Sequence, residues 1–268
     1  MLLNIITPKG EKTGSIKLPS QFSEPIRTDL IQRAVDTYWD SQRQPYGADP
    51  EAGKKQITWM SKRRRDYKAT YGKGQSRVPR KTLAHRGTWF HHVAAFAPGT
   101  VGGRGAHPPT AKKLFGKKLN TQERRKALRS ALAATLSKEL VTRRGHHLPP
   151  TYPFILSTET ETLGKTADLV TTLHTLGFEQ ELARSATRSI RAGRGKSRGR
   201  PYKTATSLLL VTGTPCALTK SARNIPGVDA VDIHHLNAHL LAPGNQPGRA
   251  TLYTQHAIEE IAQKRLFL

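Results

Sequence analysis

The chain has a single cysteine, no long apolar run, few aromatics and few acids, and each shortage removes a class of protein. Cys216 alone cannot form an internal disulfide or a zinc site built of thiolates. The longest apolar runs are about four residues, as in Leu208–Val211, so no membrane span is expected. The first ten residues, MLLNIITPKG, lack a basic leader followed by an apolar stretch, and no secretory signal is expected. Hydrophobic residues make up only 36% of the 268, too few for a core that involves the whole chain. Acids number 19 against 44 Lys and Arg, a formal net charge of +25. Self-repulsion of that size calls for a polyanionic partner.

The charge is concentrated. Residues 1–40 balance five bases with five acids, and residues 119–183 and 204–268 each carry a net +1. Residues 41–118 hold 18 bases and three acids, and residues 184–203 hold eight bases and no acid. These two segments carry 23 of the 25 net charges, the asymmetry expected of nucleic-acid binding.

The near-neutral parts have the periodicity of a folded domain. In 28–42, Leu30, Ile31, Ala34, Val35, Tyr38 and Trp39 share one helical face. Leu128, Leu132, Leu136 and Leu140 predict a helix over about 121–144, with a capping box from Asn120 and Glu123 and a stop at Gly145. Further helices are predicted over 166–176, 179–191 and 254–264. Short apolar runs at 2–6, 154–157, 207–211 and 228–233 predict buried strands. Alternation of the two predicts an α/β fold: a single globular domain whose mostly parallel sheet is flanked by helices. The competing all-helical bundle leaves the β-branched and leucine runs without a role. Residues 1–40 and 119–268 are assigned to this domain.

Residues 41–118 differ. They contain ten Gly and six Pro, no sustained period, and eight of the 17 aromatics. The expectation is a long irregular internal extension whose bases grip phosphates while its aromatics stack on splayed nucleobases. Candidate RNA-binding residues there are Arg43, Lys54, Lys55, Arg63, Arg64, Arg65, Lys73, Arg77, Arg80, Lys81, Arg86, Arg104, His107, Lys112 and Lys113. Candidate stacking residues are Trp59, Tyr67, Tyr71, Trp89 and Phe90. In the second basic segment the candidates are Arg188, Arg191, Arg194, Lys196, Arg198, Arg200 and Lys203, where small residues let backbone approach phosphate.

Other motifs carry less. Gly195-Lys196-Ser197 looks like the end of a phosphate loop, but Ile190 stands where the first glycine belongs and the preceding residues read as helix. His235 and His239 have the spacing of two metal ligands on one helix, without a third ligand or the glutamate of a metalloprotease motif. Asp229 and Asp232 read as strand residues facing different ways, and Cys216 as a packed thiol. No catalytic set, cofactor site or metal site is predicted. An RNA-modifying enzyme and a general nucleic-acid-compacting protein are the alternatives to a structural RNA binder. The enzyme requires a pocket with perturbed acids or a metal. The compacting protein requires equal affinity for duplex DNA.

Several stretches carry a family resemblance. They are Arg27–Val35, Gln44–Pro50, Val101–Pro109, Glu123–Leu128 with Ser130–Ala134, and Ile190–Arg200 with Tyr202–Lys203. Ala222-Arg-Asn-Ile-Pro-Gly-Val228, Leu236-Asn237, Leu240–Gly244 and Pro247-Gly-Arg249 complete the series. On these the chain resembles the universal large-subunit ribosomal protein four (L-four) family, in its archaeal-type form. Residues 59–73 are more basic and aromatic than the family pattern, 82–100 match it poorly, and the long basic tail of eukaryotic members is not expected here. The resemblance implies a non-catalytic constituent of cytoplasmic ribosomes that supports subunit assembly, with Arg249 among its RNA contacts. The implied partners are large-subunit ribosomal RNA with any structural Mg2+ it holds, neighbouring large-subunit proteins, and the nascent peptide. Neither a membrane nor a second copy of the chain is implied. It also implies that the extension's tip, about 75–103 and including Arg77, Val78, Pro79, Arg80, His85 and Arg86, lines the peptide exit tunnel.

Overall fold

A computed structural model describes residues 1–268. In chain order the strands and helices are β1 (Leu2–Ile6), β2 (Lys12–Lys17), α1 (Thr28–Gln42), β3 (Arg80–Arg86), β4 (Trp89–Ala94), α2 (Thr121–Leu136), α3 (Lys138–Arg143) and β5 (Ile155–Leu156). There follow α4 (Thr166–Thr175), α5 (Glu179–Ala186), β6 (Arg188–Ile190), β7 (Tyr202–Thr204), β8 (Leu209–Thr212), α6 (Ala217–Ala222), β9 (Asp229–Asp232), α7 (Ala238–Leu241), β10 (Thr251–Thr254) and α8 (Gln255–Gln263). The chain forms two units, residues 1–41 with 116–268, and residues 42–115. No helix is long and apolar enough to cross a membrane.

The first unit is an α/β domain. Its six-stranded sheet runs β2-β1-β5-β10-β8-β9; only the β1–β2 pair is antiparallel. Side chains alternate across a strand, so Leu209 and Val211 enter one apolar cluster while Leu208 and Leu210 enter the other. A continuous apolar run is what a strand covered on both faces requires. On one face Ile155, Leu209 and Tyr253 meet Ile31 and Val35 of α1, Leu128 and Leu132 of α2, and Ile258 and Ile261 of α8. On the other, Leu156, Leu210 and Leu252 meet Leu169 and Leu173 of α4, Leu182 of α5 and Leu218 of α6.

Several expected elements are corrected. The helix expected over 121–144 breaks at Ser137, which is extended (φ −78°, ψ 105°). The break lets Leu132 face the first cluster and Val141 the second. The Asn120 side chain forms no cap, and Glu123 pairs instead with Arg33 at 3.4 Å. The helix expected over 179–191 ends at Ala186, because Thr187 turns extended and the chain enters β6. Thr254 is not in the last helix but caps it, accepting from the Ala257 amide at 3.3 Å at the end of β10. Strand β10 was not expected, since Thr-Leu-Tyr-Thr has little apolar character of its own; β2 is an exposed edge with lysines at both ends. His235 and His239 lie on separate one-turn helices, with extended Leu236 after the first, so they share no helical face.

The second unit contains a hairpin where none was expected. β3 and β4 pair antiparallel, from Arg80 opposite Ala94 to Arg86 opposite Trp89, and Trp59 bridges to Arg80 through two backbone hydrogen bonds of 2.9 and 3.1 Å. In β4, half-buried Phe90, His92 and Ala94 alternate with exposed Trp89, His91 and Val93. The period of two is present, but a histidine at an inward position obscures it. The unit's buried apolar residues are just Ala69 and Ala95, while ten large apolar side chains, including Ile57, Trp89 and Val101, are exposed. Close backbone contact replaces a core. A Cβ on Gly53 (φ +74°) would lie 2.5 Å from Gly103, and one on Gly47 would strike the Ala111 amide.

Candidate nucleic-acid interface

The first basic surface is the β6–β7 hairpin. Arg188 pairs with Thr204, Ser189 with Lys203 and Ile190 with Tyr202; a single 3-10 turn at Lys196–Arg198 joins the strands. Gly199, in the left-handed region (φ +76°), closes that turn. A strand therefore precedes Gly195-Lys196-Ser197, contrary to the helix-like reading, but only the single 3-10 turn follows, and no α-helix directs its amides at a bound phosphate.

No residue from 187 to 204 is buried. Arg188, Arg194, Lys196, Arg198, Arg200 and Lys203 are exposed, and none forms an ion pair with an acid. Arg191 is partly used within the hairpin, donating to the carbonyls of Arg200 at 3.2 Å and Tyr202 at 3.3 Å. Tyr202 and Ile190 lie opposite each other, 56% and 70% exposed. Tyr202 was not picked out as a contact residue, although it is the one aromatic in the basic run.

A buried carboxylate fastens the base of this hairpin. Glu181 is inaccessible to solvent. It accepts from Arg184 at 2.6 and 2.9 Å, His146 Nδ1 at 2.7 Å, Ser207 Oγ at 2.9 Å and the His147 amide at 3.0 Å. Arg184 also donates to the Thr206 carbonyl at 2.8 Å. Both chain segments entering the hairpin are thus tied to one charge. Burial opposes ionisation of Glu181, but the hydrogen bonds from His146, Arg184 and His147 outweigh it and hold the pKa at about 2. His146 is shifted below its usual value, chiefly by burial, which favours the neutral ring donating through Nδ1.

Arg249 is corrected as an RNA contact. It is 1% exposed. Its guanidinium donates to the carbonyls of Ser207 (2.7 Å), Leu240 (3.0 Å) and Leu208 (3.2 Å) and to the Asp229 carboxylate (2.5 Å). It joins β8, β9 and the segment before β10 from within. Asp232 instead pairs with His235 at 2.7 Å, and Cys216 is partly buried against the second apolar cluster.

The second basic surface is residues 42–115, with 16 Lys and Arg against three acids. Asp49 pairs with Lys55 at 2.8 Å, and Asp66 accepts from Ser61 at 2.6 Å. Lys54, Arg63, Arg65, Lys73, Lys112 and His107 are exposed without an ion pair, as is Arg86; Lys81 and Arg104 are half-buried. Burial, with the charges of Arg80, Lys73 and Lys68, keeps His92 below its usual pKa, a local sign of the positive field.

Cations and rings interleave here. Arg43 lies 4.4 Å and Lys113 5.6 Å from the Phe115 centroid. Arg77 and Arg64 lie 4.8 and 5.6 Å from that of Tyr71. A guanidinium held over a ring keeps its outer donors free for an anion. Trp59 and Trp89 are 53% and 66% exposed and Tyr67 61%, leaving accessible ring surface. Phe90 is half-buried: His92 stacks on it at 5.4 Å, and Tyr67 and His85 approach edge-on at 5.1 and 5.6 Å.

Of the expected tip residues, Arg77, Val78 and Pro79 lead into β3. Arg80 opens the strand, with Nη2 donating to Ser76 Oγ at 2.8 Å. His85 and Arg86 end β3 beside Gly87, at the hairpin turn. The two groups therefore occupy opposite ends of one strand.

Comparison with known proteins identifies a family. Residues 16–264 match the Ribosomal protein L4/L1 family. The large ribosomal subunit protein uL4 of Nanoarchaeum equitans is 43% identical over 260 residues, 97% of this chain and 97% of the relative. That of Archaeoglobus fulgidus is 40% identical over 98% of this chain and 99% of its own length. That of Halobacterium salinarum is 40% identical over 95% and 96%. The chain belongs to the ribosomal protein L4/L1 family, whose members are structural and not catalytic.

Proposed function

We propose that this member of the L4/L1 family binds large-subunit ribosomal RNA through two separate basic surfaces and thereby supports subunit assembly in cytoplasmic ribosomes. The α/β domain is the anchor, and the β6–β7 hairpin is its phosphate-gripping element. Residues 42–115 are the RNA-penetrating extension, and the β3–β4 hairpin within them is the part that reaches the peptide exit tunnel and the nascent peptide. Neighbouring large-subunit proteins and RNA-bound Mg2+ complete its surroundings.

The observation that carries the reading is the β6–β7 hairpin. It is a structured element with six exposed cations, no acid and no buried residue. Such a segment contributes nothing to a core, and its self-repulsion is relieved only by an anion with spaced charges. Each phosphate neutralised releases counterions, so affinity falls steeply with salt. Residues 42–115 bury two alanines and little else, so their ordering comes at the moment of RNA binding.

The test is binding of the purified chain to large-subunit ribosomal RNA across a salt series. A steep loss of affinity with salt, lessened by Ala at Arg194, Lys196, Arg198 and Arg200, is the expected result. A flat salt profile, or equal affinity for duplex DNA at matched salt, contradicts it.

A further inference from the structure

Two cavities of the α/β domain adjoin at the base of the β6–β7 hairpin. One, about 500 Å3, is lined by Arg188, Thr204, Thr206, Arg223, Asn224 and Asp229 among others. The other, about 390 Å3, is lined by Trp39, Thr206, Asp229 and His239 among others. Thr206 and Asp229 belong to both, so the two form one groove with a tryptophan at one end and two arginines at the other.

The chemistry along this groove is graded. Trp39 is 51% exposed although it lies on a core helix. Its ring is held edge-on against His239 at 4.7 Å, and His239 is stacked on Tyr38 at 4.8 Å. The indole is therefore oriented in advance while keeping open ring surface. Arg188 and Arg223 are exposed and have no acid partner. Asp229 is the one acid in the lining of either cavity. Its Oδ2 accepts from Arg249 at 2.5 Å, whereas Oδ1 has no partner within the protein. A carboxylate repels phosphate and accepts hydrogen bonds from nucleobase N–H groups.

From this arrangement we infer that the groove binds a single unpaired guanosine of RNA. The base stacks on Trp39, its N1–H and N2–H donate to the Asp229 carboxylate, one of them to the unpartnered Oδ1, and the flanking phosphates meet Arg188 and Arg223. Guanine fits because it presents two adjacent donors on its Watson–Crick edge. Uracil presents one imino donor between two carbonyls that repel the carboxylate. Splayed bases read on that edge and stacked on aromatics are the general mode of single-stranded RNA recognition. Arg188 opens β6, so the groove continues directly from the hairpin cations. The inference rests on the RNA-binding reading above and adds a nucleotide-specific site that starts at Arg188 of the second basic segment and extends beyond it to Trp39, Arg223 and Asp229.

The test uses the full chain with Trp59→Phe and Trp89→Phe, leaving Trp39 as the sole tryptophan, titrated with the RNA hexamers UUGUUU and UUUUUU and with GMP. The expected result is quenching of Trp39 by UUGUUU and about tenfold tighter binding than UUUUUU, a factor in the range found for one bidentate hydrogen-bonded base contact. Trp39→Ala, checked for folding by circular dichroism, should abolish that preference in competition binding. Equal affinity for the two hexamers, or a preference that survives Trp39→Ala, overturns the site. GMP binding as tightly as UUGUUU overturns its assignment to RNA. The parent reading is read separately: Ala at Arg194, Lys196, Arg198 and Arg200 weakens both hexamers alike if it holds, and neither if it fails.

Discussion

The two units of this chain hold their shape by opposite means. In residues 1–41 and 116–268, a sheet covered on both faces buries Leu208, Leu209, Leu210 and Val211 in succession, and even Arg249 and Glu181 are drawn inside and satisfied. In residues 42–115 the largest buried apolar side chain is alanine, and the aromatics are met by cations and histidines. The first unit is specified by what it excludes from water. The second has no apolar interior of its own. On the proposed function, the RNA partner supplies that missing interior.

That contrast is open to attack, most forcefully at its buried side. Phe154→Ala, at a position 2% exposed, should cost about 3–5 kcal/mol in chemical denaturation followed by circular dichroism. Next comes the buried charge. Glu181→Ala leaves His146 and Arg184 without their shared acceptor and should cost about 3 kcal/mol or more. In the unmodified chain Glu181 has a pKa of about 2, below its unfolded value. A depressed carboxylate pKa stabilises the fold above the unfolded value, and that stability is lost as pH falls. Denaturation midpoints should therefore be steady near neutrality and decline progressively below about pH 5, with the decline reduced in Glu181→Gln.

A smaller effect is expected from the interface. Replacing Arg194, Lys196, Arg198 and Arg200 together by Ala should leave thermal unfolding within about 0.5 kcal/mol of the parent, as surface changes do. The same change should lower the salt slope of RNA binding by roughly three to four. A large loss of stability in this variant would mean that the hairpin belongs to the core after all. The smallest effect is expected of Ile57→Ala, at a residue 96% exposed in the second unit. It should not shift denaturation measurably, and a shift comparable to that of Phe154→Ala would erase the distinction between the units.

The sequence disclosed these two regimes unevenly. Runs such as Leu208–Val211 and the helical face of Ile31, Ala34 and Val35 are legible because burial imposes a period on residue type. The break at Ser137 is not, since nothing local distinguishes a helix that must change faces of a sheet from one that continues. Strand β10 escaped because Thr-Leu-Tyr-Thr becomes a strand through neighbours on both sides, a tertiary effect. At the interface, charge located both basic surfaces but not the state of each cation. Arg249 belongs to a family-like stretch, Pro247-Gly-Arg249, yet its guanidinium is consumed by backbone carbonyls and Asp229. Composition likewise cannot tell the exposed ring of Trp89 from the half-buried ring of Phe90.

On the proposed function, residues 42–115 acquire order from RNA while the rest of the chain does not need it. Amide hydrogen exchange of the full chain, alone and bound to large-subunit ribosomal RNA, measures this directly. The account predicts slow exchange in β8 and β10 in both states. In 42–115 it predicts rapid exchange in the unbound protein and strong protection in the complex. Equal protection of 42–115 with and without RNA would contradict it.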